Sequence, residues 1–335
     1  MSKKTDNNQG NSYLRVWHEK FNTGECKADI DKIVSAVHDD KDGLLFLVRR
    51  YGLINVYYLG TVILDYNGKT FSFNKKYLEH LPAEAVGHFP KNGVFNDFDS
   101  WYSKINDMKC AMEKCNMSSR NKREKRAQQA IVHAVNNNSK SKYYILDIEY
   151  DYPGITFGRF DMIAVSKEAV HGKHKIAIIE LKWGTKSFRG TATKSNEFGS
   201  GIVGHAYNLY CYINGKENEA RSTVKKRHED LAKELASMTT VCHKLKLAPA
   251  AYLPELRETD FDINNIQTWF LSVGCNPKTA EEGVLRYMGY PSSNRKNSPN
   301  IRDNVSLDMK LRYKVIREVC IDYLDDSDFR DPTGV

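Results

Sequence analysis

The hydrophobic pattern of the chain is clearest over residues 176–182, Ile-Ala-Ile-Ile-Glu-Leu-Lys. Side chains alternate across a strand, so Ile176, Ile178, Glu180 and Lys182 share one face and Ala177, Ile179 and Leu181 the other. Both faces are apolar for most of the run, which predicts a central strand covered on both sides. Further strands are predicted at 143–150, at 158–165 (which holds Asp161) and at 267–273. Nearer the N-terminus, short strands are predicted at 44–49, 54–58, 61–66 and 70–73, with Asn67-Gly68 as a hairpin turn between the last two. Helical spacing predicts a helix over 29–37, with Ile30, Ile33, Val34 and Val37 on one face and Asp29 as its cap. Other helices are predicted over 101–117, from the charged stretch at 118–126 to 135, over 202–213, over 224–245 on Leu231, Leu235, Met238, Cys242 and Leu245, and over 306–324 on Leu311, Val315 and Val319. Residues 82–100, 171–174, 186–201 and 291–304 read as loops. The first 12 residues are polar and expected to be disordered.

This order predicts an α/β chain of the α+β type. A smaller β-rich α+β domain occupies 1–115, and a larger domain over 116–335 has a central mixed sheet flanked by helices. With 335 residues, 41% hydrophobic and 27% charged, the chain has the composition of a folded protein rather than a disordered one. No apolar run reaches the roughly 20 residues that span a bilayer. The first residues carry no apolar segment of a secretory signal, so a cytoplasmic location without membrane attachment is expected. Seven scattered cysteines argue for reduced thiols, and Cys110 and Cys115 lack the second pair or histidine that would complete a zinc set. The net charge of +8 suits a polyanionic partner without establishing one. Its distribution says more: residues 118–126 carry five positive charges against one negative. Cations at a helix start oppose the helix dipole, which raises a phosphate-facing patch to an equal footing with a merely solvated helix start.

Glu180 and Lys182 at the end of a buried strand are costly unless they pair, hold a metal or open into a cleft. With Asp161 upstream, they are read as a hydrolytic metal site. Two carboxylates suffice to hold Mg²⁺, and a lysine two residues on lies on the same strand face, where it orients water or neutralises charge on phosphorus. The competing structural reading is an ion pair at a strand end with Asp161 in a turn. His205, in the following helix, is read as a core histidine in preference to a site residue.

Asp161 followed by Glu180-Leu181-Lys182 on this strand pattern resembles the PD-(D/E)XK nuclease superfamily, over about residues 120–275. Phe160 stands where the motif has proline. The resemblance implies a restriction-endonuclease-like core and Mg²⁺-dependent phosphodiester hydrolysis, with Mn²⁺ as a substitute. Asp161, Glu180 and the Leu181 carbonyl would hold the metal, Lys182 would be the catalytic lysine, and Glu124 the assisting acid of the first core helix. Arg120, Lys122, Arg123, Lys125, Arg126 and Lys186 would face nucleic acid, DNA being favoured. A restriction or phage-defence endonuclease is the first reading, with the β-rich domain selecting the substrate and room for a homodimer or partner protein. The alternative is an inactive module of the same fold that binds nucleic acid or a protein.

Overall fold

The computed structural model describes residues 13–40, 43–116, 120–184, 201–247, 253–279, 311–318 and 320–330. The expected disorder of residues 1–12, the loop after Lys186 and the loop at 291–304 lie outside them. The chain divides into two compact units: residues 1–129 with 233–255, and residues 130–232 with 256–335. The break expected near 115 therefore falls inside the first unit, which also takes back part of a later helix. Composition shifts along the chain carry no trace of such a return. The class is α+β, with two five-stranded sheets flanked by helices.

In the first unit α1 (Gly24–Asp39) precedes a meander of β1 (Leu44–Arg49), β2 (Leu53–Tyr58), β3 (Thr61–Tyr66), β4 (Phe71–Ser72) and β5 (Val94–Phe95). The strands lie antiparallel in chain order. Ile30, Ile33, Val34 and Val37 of α1 are buried, as their spacing requires. Asp29 is not its cap: the helix begins at Gly24, with Thr23 in the cap position, and the Asp29 carboxylate accepts the Tyr66 hydroxyl at 2.7 Å. The turn after β3 closes on Asn67, whose side-chain oxygen accepts the amides of Lys69 and Thr70. The stretch at 82–100 is less irregular than expected, holding α2 (Ala83–Val86), β5 and the start of α3 (Phe98–Tyr102). The helix expected at 101–117 is broken at Ser103-Lys104 into α3 and α4 (Ile105–Asn116).

α5 (Arg120–Asn137) leads from the first unit into the second. Its Gln129 side chain accepts the Gly60 amide and donates to the carbonyls of Gly43 and Tyr57. Gly60, at φ +72°, sits so close beneath the Lys125 carbonyl that any side chain would collide with it.

The second unit carries β6 (Tyr143–Asp151), β7 (Arg159–Val170), β8 (Lys173–Trp183), β9 (Phe261–Val273) and β10 (Leu311–Val315), in the order β10-β9-β8-β7-β6. β6, β7 and β8 run antiparallel; β9 and β10 are parallel to β8. β8 lies at the centre and is buried from Ile176 to Lys182, as its two apolar faces require. Residues 171–174 are not a loop: His171 and Gly172, both at positive φ, make a two-residue turn between paired Val170 and Lys173. His174 is buried in β8, its Nδ1 2.7 Å from the Ser166 carbonyl. Two helices follow, α6 (Ile202–Asn214) and α7 (Arg221–Lys244). Buried Arg227 of α7 bonds the α6 carbonyls of Cys211 and Tyr212 and pairs with Glu219 at 2.8 Å, closing the end of α6. The helix expected over 306–324 is replaced in its described part by strand β10, which pairs with β9 from Leu311↔Thr268 to Val315↔Ser272. Leu311 and Val315, four apart, share a face in a helix and in a strand alike, and Tyr313 between them completes a strand face.

Candidate active site

β7 and β8 pair without interruption from Val165↔Ile176 to Met162↔Ile179. One step further the register would set Asp161 opposite Glu180, but the ladder stops there. The Asp161 carboxylate instead accepts the Leu181 amide, Oδ2 to N 2.7 Å. A side chain has taken the place of a main-chain acceptor, so the two strands part at the charged end of the sheet. On the other side β9 stays paired, Glu180 with Phe270 and Lys182 with Ser272. Ser272 is fully buried and its hydroxyl has no hydrogen-bond partner among the described residues.

Glu180 and Lys182 share a face, as alternation requires, and both are buried, with side-chain exposures of 2% and 6%. The Lys182 ammonium lies 2.6 Å from Glu180 Oε1 and 3.1 Å from the Leu181 carbonyl oxygen. His205 Nδ1 lies 2.7 Å from the same Oε1. Burial alone would push the Glu180 carboxyl up; His205 and Lys182 outweigh it and hold it at about 2. Glu180 is therefore an anion at neutral pH. The expected ion pair at the strand end is present, but Asp161 is part of β7 rather than of a turn.

Set against protein-family models, curated proteins and solved structures, the chain finds no match in any of the three. The site must be read from its own chemistry.

Asp161, Glu180, Leu181 and Lys182 are brought together in the second unit. Glu124 lies on the part of α5 that belongs to the first unit, as do Arg123, Lys125 and Arg126. Arg120 and Lys122 begin that helix, their side chains outside the described set, and Lys186 is also outside it. The site is thus built here from second-unit residues alone. Among the described residues no group of three or more His, Cys, Asp or Glu side chains is gathered for an ion. The set expected for Mg²⁺ needs only two acids and a carbonyl. Two of its three oxygens, Glu180 Oε1 and Leu181 O, already converge on a cation, the Lys182 ammonium. These hard oxygen donors fit a magnesium ion. Cys110 and Cys115, both on α4, form no disulfide, and neither do the other five cysteines.

His205 and Glu149 stand outside the expected set of site residues. His205 is not a core residue: it is 29% exposed and turned onto Glu180. Its position near the start of α6, the first described helix after the Glu180 strand, was the available signal. Glu149 falls opposite Asp161 in the β6–β7 register, between the pairs Ile148↔Met162 and Tyr150↔Phe160. Its φ is +51°, a left-handed conformation that costs a non-glycine residue about 1–2 kcal/mol. No sequence pattern announces such a kink.

Proposed function

We propose that the chain is a metal-dependent nuclease of PD-(D/E)XK type that hydrolyses phosphodiester bonds, most fittingly in DNA, with restriction or phage defence as its setting. The observation that carries this reading is the end of the β7–β8 ladder at Asp161, whose carboxylate takes the Leu181 amide, the residue between Glu180 and its buried ion-pair partner Lys182. A structural ion pair needs no third charge and no broken ladder. No described helix is long and apolar enough to cross a membrane, and seven free thiols suit a reducing compartment such as the cytoplasm.

In this reading Asp161, Glu180 and the Leu181 carbonyl would hold Mg²⁺ or Mn²⁺. Such an ion, when bound, supplies charge for the phosphate oxygens and a more acidic water. Asp161 keeps its place through the Leu181 amide. His205 fixes the Glu180 carboxylate and keeps it ionised. Lys182, at the same carboxylate, would neutralise charge growing on phosphorus. The resting contact of Lys182 with two ligand oxygens also favours a second reading, an inactive module whose lysine permanently fills the ion's place.

The test is cleavage of single- and double-stranded DNA and RNA with Mg²⁺ or Mn²⁺, alongside metal binding. Asp161→Asn, Glu180→Gln and Lys182→Met are each expected to lower cleavage by about 10²–10³-fold, with the fold retained by circular dichroism. Equal cleavage in all three rejects the site; absence of Mn²⁺ binding in the parent favours the inactive module.

A further inference from the structure

The turn between β1 and β2 presents an aromatic ring where chain geometry disfavours one. Tyr51 and Gly52 are both left-handed, with φ of +58° and +61°, and the Leu53 amide closes the turn on the Arg50 carbonyl. Two successive positive φ values suit Asn-Gly or Asp-Gly; a tyrosine in the first position is strained. Its ring gains nothing in return from the fold. Tyr51 is 63% exposed and makes no hydrogen bond or ring contact with any described residue. A strained, solvent-facing aromatic is an outlier that calls for a function.

Basic residues lie at this turn and at the next one along the sheet edge. The β3–β4 turn lies at the same end of the sheet, since Arg49 pairs with Leu53 and Ile54 with Tyr66. Lys20 spans the two turns: its ammonium donates to the Asn67 carbonyl at 2.8 Å, and it packs against both Gly52 and Gly68. Lys69 is exposed at the tip of the second turn and His18 is exposed beside Gly52. Burial pushes the Lys20 ammonium down from its ordinary value, against the pull of Cys26 and together with the charge of Lys69. Neither lysine makes an ion pair among the described residues. Lysines without an acidic partner, at the turn that carries an unstacked ring and at the turn next to it, complement a phosphate backbone carrying an unpaired base.

We infer that this end of the first sheet binds single-stranded nucleic acid, with a base stacked on Tyr51 and phosphates held by Lys20 and Lys69. A duplex keeps its bases stacked on each other and offers none to a ring at a turn apex. The inference goes beyond the nuclease reading and stands without any cleavage, because it concerns binding by the first unit.

The experiment measures fluorescence anisotropy of labelled oligo(dT), oligo(U) and a duplex with the full chain in EDTA, which removes metal-dependent cleavage. For whichever single strand binds, Tyr51→Asn is expected to weaken affinity about tenfold, within the range a lost stacking contact gives, and Tyr51→Trp to keep it. Lys20→Ala with Lys69→Ala should flatten the salt dependence by about two phosphate contacts. Thermal melting adds the decisive control: relief of strain should raise the melting temperature of Tyr51→Asn while its binding falls. Unchanged affinity in Tyr51→Asn, binding to duplex alone, or no single-strand binding by the parent overturns the inference. Cleavage lost in Lys182→Met with oligonucleotide binding intact would leave it standing, so the two ideas fail separately.

Discussion

At the residue scale the site turns on Glu180, an ion held in a buried place by two donors on one oxygen. Its carboxyl is depressed from 4.5 to about 2. A depressed folded value means that the ionised form stabilises the fold above the ordinary carboxylate range and that this contribution fades as pH falls from 4.5 towards 2. The stability advantage of the parent over Glu180→Gln, followed by thermal melting, should be full at neutral pH and shrink across that window; a gap unchanged down to pH 2 would refute the assignment. His205→Ala removes one charge-assisted hydrogen bond and should cost about 2 kcal/mol in urea unfolding, while Lys182 keeps Glu180 paired. Glu149→Gly should move the other way and stabilise by roughly 1 kcal/mol, because glycine adopts the left-handed conformation without strain. A loss of cleavage in that same variant would tie the strained backbone to the chemistry.

At the scale of elements, much was legible because pattern and environment agreed. β8 shows two apolar faces and is buried on both; β7 and β6 follow from their branched and aromatic residues; a turn does form at Asn67-Gly68, but as a four-residue connection between Tyr66 and Phe71 closed by the Asn67 side chain rather than the two-residue hairpin expected. The misses have physical causes. An i, i+4 spacing does not distinguish helix from strand, so the sequence suits a helix where β10 forms. A polar His-Gly-Lys-His run conceals a two-residue turn whose second histidine is buried in the sheet. His205 sits on a helix whose apolar residues dominate its pattern, and only the fold reveals which way the ring faces. The close packing of α5 on the β2–β3 turn was equally invisible and is open to test. Gly60→Ala must accept a left-handed backbone and displace the Lys125 carbonyl, and it should cost roughly 2 kcal/mol or more. A melting temperature equal to the parent's would show that α5 yields at no cost.

At the scale of the whole molecule, the first unit is discontinuous. Residues 233–255 return to it through the second half of α7, where Glu234 accepts the Arg15 amide at 2.9 Å and Ser237 the Trp17 amide at 2.8 Å. Leu235, Met238 and Val241 are buried there. A fragment of residues 116–335 would carry this apolar stretch without the residues that cover it. It should bind a hydrophobic dye and be cut by protease within 233–255 faster than the full chain; equal resistance would mean that the stretch does not depend on the first unit.

That discontinuity also sets an order on synthesis. A ribosome releases the chain from its N-terminus, yet the first unit lacks a piece of itself until residue 255 has left the exit tunnel. By then β6, β7 and β8, with the acids and the lysine they carry, are already outside. The amino-terminal half cannot mature ahead of the strands that bear the chemistry, and each nascent molecule must hold both halves unfinished for most of its translation.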